Sequence, residues 1–406
     1  MTYLDTSKEI RKFASICAVL LGFSLPISTG LDSVLLVLLL VTTLVGWNIE
    51  YPRLIAQNPV AKSALLLFLV LLIDCFYGVN TPTNGLKVLA KYDDLILIAL
   101  MLPIFSSPQM RRYGQYAFVT AMAITLLLSY LIWLNFFANT PFFIDRLPDN
   151  PVVFKLHITH GVLMGFVAFA SAVYAVYTRS KIRWALVIFS VLATCNVLLM
   201  TQGRTGYMVV IALAVYLGFA LLNWRKVIFG LGLLIITTTL IYTTSPKIQS
   251  RISLTIHEAK IWKPMHGHNE ASSIGTRMDY YTNTIKVIQN NPIMGVGTGG
   301  FETAYAKEIV GTNMAGSNNP HNQFLLFWAQ AGIVGFSAFL FLLTVTWRAA
   351  SRLPSIPETM LARGLLITIS AGCLFNSLLL DHTEGLFFSW CCGLLFAGLP
   401  SKNRSQ

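Results

Sequence analysis

The strongest chemical signal in the sequence is His321, in the run Asn318-Asn319-Pro320-His321-Asn322 just before a long apolar segment. Asn is a preferred N-cap residue and Pro a preferred first helical residue, so the run predicts a membrane helix beginning at Pro320, with His321 in its first turn. The positive end of the helix dipole disfavours an imidazolium there. A neutral imidazole accepts a proton, which makes His321 a candidate general base. The alternative is an interfacial histidine that only hydrogen-bonds to a loop carbonyl.

Two arginines lie where a highly apolar chain is expected to avoid them. Arg204 falls in a very short turn between two predicted membrane helices, and Arg277 lies at the start of a predicted amphipathic helix. Guanidinium forks and helix N-termini both suit phosphate oxygens, so both arginines are candidate ligands of an anion. Alternatively, each arginine snorkels to the interface or pairs with an acid such as Asp279 or Glu302.

Lys87 and Lys91 are four residues apart, so on one helix they share a face. They are placed at the extracytoplasmic end of the fourth predicted span. They either bind an anion or neutralise Asp93 and Asp94.

Other motifs carry less chemistry. The glycine-rich stretch 291–301 lacks the Gly-Lys-Ser/Thr ending of a P-loop and is not a nucleotide site; its glycines allow backbone to approach a ligand or connect two helices. His157 with His160, and His266 with His268, match no metalloprotease motif, and no metal site is expected. The six cysteines are expected to be buried free thiols. Asp381, His382 and Glu384 are expected to form a solvated turn.

The composition places the chain in a lipid bilayer. Only 11% of its 406 residues are charged and 55% are hydrophobic, whereas a soluble protein has roughly 25% charged residues. A net charge of +12 in a soluble chain would raise the question of nucleic acid. In this apolar chain, the net charge raises instead the question of where the basic residues lie relative to the membrane lipids. No nucleic-acid partner is expected.

The elements that must position the candidate residues are membrane helices. A spanning helix needs about 20 mostly apolar residues, and about twelve such stretches are present. The Lys and Arg residues of the short loops concentrate on one side when the N-terminus is placed inside, so both termini are expected to be cytoplasmic. The predicted spans are 13–29, 31–48, 63–78, 92–106, 115–136, 156–177, 184–200, 205–222, 227–243, 321–346, 364–380 and 385–400.

The long segment 244–320 is predicted to be an extracytoplasmic loop, and loops of this length are usually functional. It contains a predicted amphipathic helix from Ser273 to about Asn290, whose apolar stripe is expected to lie on the membrane or on the bundle. The predicted domains are residues 1–243 with nine spans, the loop 244–320, and residues 321–406 with three spans and a cytoplasmic tail. The stripe consists of Ile274, Met278, Tyr281, Ile285 and Ile288.

These features together resemble a known family. An arginine just before a helix at Arg204, the tripeptide Gly275-Thr276-Arg277, the stretch Asn-Pro-Ile-Met-Gly-Val-Gly at 291–297 and the run Asn318–Asn322 are similar to motifs of the O-antigen ligase and O-antigen polymerase superfamily. The resemblance is strongest from about Val187 to Val345. Within the superfamily, the span count and the position of His321 after one large loop look most like lipopolysaccharide O-antigen ligases.

The resemblance implies an all-α, polytopic, GT-C-like membrane protein of the Gram-negative inner membrane whose active site faces the periplasm. The implied reaction transfers O-antigen from undecaprenyl diphosphate to lipid A-core, without a cofactor or metal. His321 matches the essential histidine of the family, and Arg204 and Arg277 match its essential arginines. Lys87 and Lys91 have no such motif-level match and remain candidates for diphosphate binding.

Three alternatives stay open at this point. An O-antigen polymerase or a protein O-oligosaccharyltransferase shares the same loop pattern. A transporter or flippase for lipid-linked sugars belongs to a different class, which places ionisable groups near the middle of the membrane. Asp74 is the main acidic candidate for such a role, but it lies toward the outer end of the third predicted span, which favours an enzyme.

Overall fold

A computed structural model of the protein describes residues 3–137, 148–222 and 273–400, together with single positions between 225 and 260. Every regular element in these ranges is helical, which confirms the all-α prediction for the described part. The α-helices there are α1 (Tyr3–Ser24), α2 (Thr29–Val45), α3 (Tyr51–Gln57), α4 (Pro59–Ile73), α5 (Pro82–Leu89), α6 (Asp94–Ile104), α7 (Pro108–Trp133), α8 (His157–Tyr177), α9 (Ile182–Cys195), α10 (Arg204–Leu221), α11 (Ser273–Asn290), α12 (Phe301–Glu308), α13 (Gln323–Ala350), α14 (Ile356–Cys373) and α15 (His382–Phe396).

Six helical segments in the described part are long and apolar enough to cross a membrane. They indicate a multi-pass membrane protein. The count of about twelve spans stays a prediction, and the predicted span 227–243 and most of 244–272 lie outside the described residues. The six segments are Pro59–Phe76, Pro108–Trp133, His157–Tyr177, Ile182–Met200, Arg204–Leu221 and Gln323–Ala350.

One compact unit comprises residues 1–70, 90–213 and 338–406. Helix α15 is its core, because its residues are buried along almost the whole helix. Phe387 stacks on Phe118 with ring centroids 5.6 Å apart, and Phe166 meets Phe387 edge-on at 5.2 Å. The indole of Trp390 donates a hydrogen bond to the carbonyl of Ala18 at 2.8 Å. From Gly385 to Phe396 the helix is apolar on all sides except at Ser389, and such a helix belongs inside a bundle.

The second compact unit comprises residues 71–89 and 214–337. Its helix α11 has the bounds that the sequence pattern predicts, Ser273 to Asn290. The predicted apolar stripe is buried in part, since Ile288 is 7% exposed and Ile285 is 45% exposed, and its position on the membrane or on the bundle stays a prediction. Asn283 and Thr284 are also almost fully buried, and α11 packs on α12.

The glycine-rich stretch 291–301 connects α11 to α12 and pairs with a break in α13. Helix α13 loses helical geometry at Ala331 and Gly332, which frees backbone groups that need partners. The N–H of Gly297 donates to the carbonyl of Gln330 at 2.8 Å, and the N–H of Ile333 donates to the carbonyl of Pro292 at 3.0 Å. The stretch therefore supplies hydrogen-bond partners to backbone groups that the break in α13 leaves without partners inside the helix.

Candidate active site

His321 lies just outside α13, on its N-terminal side. The predicted helix start at Pro320 is wrong, because the helix begins at Gln323 and Asn322 is the residue that caps it. The Asn322 side chain accepts a hydrogen bond from the N–H of Leu325 at 3.1 Å, and its carbonyl accepts from Leu326 at 2.9 Å. His321 has a φ of +53°, which is a left-handed conformation. The right-handed α-helix therefore cannot include His321 and begins after it.

The backbone of His321 is held from two sides. The Asn319 side chain accepts a hydrogen bond from the His321 N–H at 2.8 Å, and the Tyr281 hydroxyl donates to the His321 carbonyl at 3.4 Å. The Tyr280 ring lies nearly parallel to the imidazole, with centroids 5.7 Å apart and an interplanar angle of 23°. The histidine is half-buried, so its ring is ordered by its neighbours and still accessible in part.

Arg277 belongs to the same unit and is linked to His321 through Tyr281. Burial raises the pKa of the Tyr281 hydroxyl, and the positive charge of Arg277 and a hydrogen bond with the Asn322 side chain act in the opposite direction. Arg277 is half-buried and forms no ion pair with any residue in the described part of the chain. Pairing with Asp279 or Glu302, the alternative reading of this arginine, is therefore absent there.

Arg204 lies in the other unit, at the first residue of α10, and its side chain is exposed. The turn that carries it is fixed by close backbone packing: a side chain at Gly203 would lie 2.7 Å from the carbonyl oxygen of His157. Gly161 and Gly206 allow α8 and α10 to approach closely, since a Cβ on either would meet the other's Cα at about 3 Å. The Arg204 side chain thus extends from a tightly packed turn. It forms no ion pair or hydrogen bond with described residues.

The two lysines lie in consecutive helical elements. Lys87 is in the last turn of α5, and Lys91 is in the 3-10 turn Ala90–Tyr92 that follows α5 directly. Both side chains are exposed. Lys91 forms no ion pair with Asp93 or Asp94, all three of which are described. A role of either lysine in anion binding stays a prediction.

The histidines of α8 serve packing. His160 is buried, and its Nε2 lies 2.8 Å from the Asn196 amide oxygen, while the Asn196 amide donates to Ser129 at 2.7 Å. His157 begins α8 and packs its backbone against the Arg204 turn. His266 and His268 lie outside the described residues. Within the described ranges, no group of three or more His, Cys, Asp or Glu side chains is placed to hold a metal, and the six cysteines are free.

A buried charge cluster was missed by the sequence reasoning. The Lys155 ammonium lies 3.5 Å from the Asp32 carboxylate and donates to the Thr383 hydroxyl at 3.1 Å. The Thr159 hydroxyl donates to the Glu384 carboxylate at 2.6 Å. Glu384, just before the predicted span 385–400, is 3% exposed, so the expected solvated turn is wrong for this residue. Burial raises the pKa of Glu384 to about 7.

The arrangement around His321 suits proton transfer beside an anion. An ordered imidazole can take a proton from a hydroxyl, and an arginine side chain can bind phosphate oxygens. The sequence indicates His321 and Arg277 as candidates, and in the structure Tyr281 interacts with both: its hydroxyl donates to the His321 carbonyl, and the charge of Arg277 acts on it. Tyr280 stacks on the His321 ring, and Asn322 hydrogen-bonds with Tyr281. The helical spacing of Arg277, Tyr280 and Tyr281 at i, i+3 and i+4 is the signal that could have found the two tyrosines.

Comparison with known proteins relates the part of the chain that contains these residues to a protein family. Residues 188–340 match the family model described as O-antigen ligase, and this segment contains Arg204, Arg277 and His321. The match supports membership of the O-antigen ligase superfamily. An uncharacterized protein of Haemophilus influenzae is 24% identical over 205 residues, which is 48% of this chain. The matched region spans about half of that relative, 51% of its length.

Proposed function

Starting from membership of the O-antigen ligase superfamily, we propose that the protein is a lipopolysaccharide O-antigen ligase. Its donor is O-antigen linked to undecaprenyl diphosphate, and its acceptor is a sugar hydroxyl of lipid A-core. The reaction takes place at the periplasmic face of the Gram-negative inner membrane. The observation that supports the proposal is that His321 and Arg277 both interact with Tyr281, inside the segment that matches the family.

The proposed step is a direct displacement. The acceptor oxygen attacks the anomeric carbon of the donor sugar, forming the new glycosidic bond while the bond from that carbon to the diphosphate oxygen breaks. The electron pair of the broken bond leaves with undecaprenyl diphosphate. His321 takes the proton of the acceptor hydroxyl as the oxygen attacks. Attack opposite the leaving group inverts the anomeric configuration.

Arg277 stabilises the leaving diphosphate in this proposal. Charge builds on the bridging oxygen as the bond breaks, and a fixed guanidinium stabilises that charge more than it stabilises the ground state. Arg277 forms no ion pair within the described part of the chain, and its proposed counter-ion is the donor diphosphate. Arg204, which the family resemblance implies beside Arg277, is also proposed as a diphosphate ligand, as are Lys87 and Lys91. The proposed step uses no metal.

Deletion of the gene followed by inspection of lipopolysaccharide tests the function. A ligase predicts loss of core-attached O-antigen and accumulation of full-length polymer on the undecaprenyl carrier. Core that carries a single repeat would identify a polymerase instead. Unchanged lipopolysaccharide with loss of glycan from a protein would identify an O-oligosaccharyltransferase, and lipid-linked units trapped on the cytoplasmic side would identify a flippase.

A further inference from the structure

Two consecutive tyrosines of α11 contact His321 in two different ways. Successive residues of an α-helix point about 100° apart, so Tyr280 and Tyr281 reach different parts of the same histidine. The Tyr280 ring stacks on the imidazole, and the Tyr281 hydroxyl reaches the backbone carbonyl. One contact orients the side chain and the other orients the main chain that carries it.

Tyr280 is itself held in place. Its ring meets the ring of Tyr305 edge-on, with centroids 5.9 Å apart and planes at 76°. Tyr305 is completely buried and packs on Phe301, at the start of α12. The imidazole therefore stacks on a ring that has a rigid, buried support, which limits rotation of the histidine side chain.

Tyr281 acts on a strained backbone. A residue other than glycine with φ near +53° is uncommon and persists where its surroundings fix it. The Tyr281 hydroxyl lies 3.4 Å from the His321 carbonyl and also hydrogen-bonds with the Asn322 side chain, the cap of α13. The Asn319 side chain is a second contact of the His321 backbone, and removal of the Tyr281 hydroxyl does not affect it directly.

We propose that Tyr280 and Tyr281 are positioning residues that hold the His321 imidazole in the geometry for proton transfer. The role rests on the proposed function, because it assigns His321 as the base. The tyrosines themselves touch neither donor nor acceptor in this account. They act by reducing the fraction of time that the imidazole spends turned away from the acceptor hydroxyl.

Steady-state transfer by purified protein tests the proposal with four variants. Tyr281→Phe is expected to lower kcat about tenfold, and Tyr280→Leu about 30-fold, with donor and acceptor KM each within about twofold of the unsubstituted protein. Tyr280→Phe keeps the stacked ring and is expected to retain kcat within about threefold. Tyr113→Phe, an exposed tyrosine of α7 whose hydroxyl accepts from Gln109, is the matched control and should leave kcat unchanged.

A second readout does not depend on turnover. Diethyl pyrocarbonate acylates accessible imidazoles, and the peptide that contains His321 can be followed by mass spectrometry. Tyr280→Leu uncovers one face of the ring and is expected to raise the rate of acylation at His321 about threefold or more, whereas Tyr280→Phe leaves it unchanged. If the unsubstituted protein transfers no O-antigen but this rate changes as expected, the proposed function fails and the placement of His321 by Tyr280 stands.

Three outcomes overturn the proposal. The first is an unchanged kcat in both Tyr281→Phe and Tyr280→Leu. The second is an equal loss of kcat in Tyr280→Phe and Tyr280→Leu, which would point to the hydroxyl rather than the ring. The third is a loss of kcat that follows a matching loss of folded protein, measured by the thermal unfolding midpoint.

Discussion

The side-chain oxygen of Asn319 accepts a hydrogen bond from the backbone N–H of His321 at 2.8 Å. Asn319 is not the cap of a membrane helix, the role that its sequence position predicts. It closes a small turn just before the cap residue Asn322. Such a turn lets a histidine adopt the left-handed backbone that brings its ring against Tyr280.

Asn319→Ala is expected to loosen this turn. Loss of one side-chain to backbone hydrogen bond costs about 0.5–1.5 kcal/mol, and the effect falls on the orientation of His321, so kcat is expected to drop about three- to tenfold. Asn319→Asp keeps an acceptor oxygen at the same place and should retain most activity. Equal activity in Asn319→Ala and the unsubstituted protein would show that the turn does not matter for the chemistry.

Arg277→Ala is expected to impair use of the donor more than use of the acceptor. A charge-assisted contact with phosphate contributes about 1.5–3 kcal/mol, which predicts a loss of roughly ten- to 100-fold in kcat/KM for the lipid-linked donor. The KM for lipid A-core should change little. Arg112→Ala, an exposed arginine of α7, is the control. Unchanged donor kinetics in Arg277→Ala would count against diphosphate binding by this residue.

Glu384 makes stability depend on pH. Below its ordinary pKa of 4.5 the carboxyl is protonated in both the folded and the unfolded chain. As pH rises from there to about 7, the unfolded chain loses the proton first while burial keeps the folded form neutral, so stability falls. The whole loss is about 3 kcal/mol and is complete above that range.

Glu384→Gln removes this titration and keeps the hydrogen bond with Thr159 possible. Its thermal unfolding midpoint in detergent is expected to vary less than that of the unsubstituted protein between pH 5 and pH 8, and to be higher at pH 8. Glu358→Gln, at the start of α14, serves as a matched control. Identical pH profiles for Glu384→Gln and the unsubstituted protein would contradict a neutral buried Glu384.

Gly297 is required for the pairing of the glycine-rich stretch with the break in α13. Its φ is +86°, and a Cβ there would collide with the carbonyl oxygen of Tyr77. Gly297→Ala is therefore expected to destabilise the protein by roughly 1–3 kcal/mol. Gly316→Ala, with nothing within 4 Å of its Cβ position, should leave the unfolding midpoint in place. Equal midpoints for the two variants would show that the stretch tolerates a side chain.

Part of this structure follows from local sequence. The alternation of apolar residues predicts α11 with its observed bounds because helix periodicity is a short-range property. The start of α13 cannot be predicted from local sequence, because Asn319 and Asn322 are both good caps. The left-handed backbone of His321 excludes a helix that begins before it, so Asn322 is the cap. The change from α-helix to 3-10 turn after Leu89, between Lys87 and Lys91, is likewise not predicted by their spacing.

Other features depend on contacts between distant residues. Asn283 and Thr284 of α11 are buried although they are polar, and the packing of α11 on α12 is a contact that periodicity cannot identify. Glu384 is buried and accepts a hydrogen bond from Thr159, a residue far away in sequence. The chemistry at His321 is indicated by residue type and motif, whereas the tyrosines that order it emerge only from the folded chain.

Single-turnover transfer by His321→Ala tests the central claim most directly. Purified protein, an undecaprenyl-diphosphate-linked glycan and lipid A-core are mixed, and the rate of the new glycosidic bond is measured beside the thermal unfolding midpoint. The loss of a general base predicts a rate at least about 100-fold lower with an unfolding midpoint close to that of the unsubstituted protein. A rate near that of the unsubstituted protein would contradict the assignment of His321 as the base.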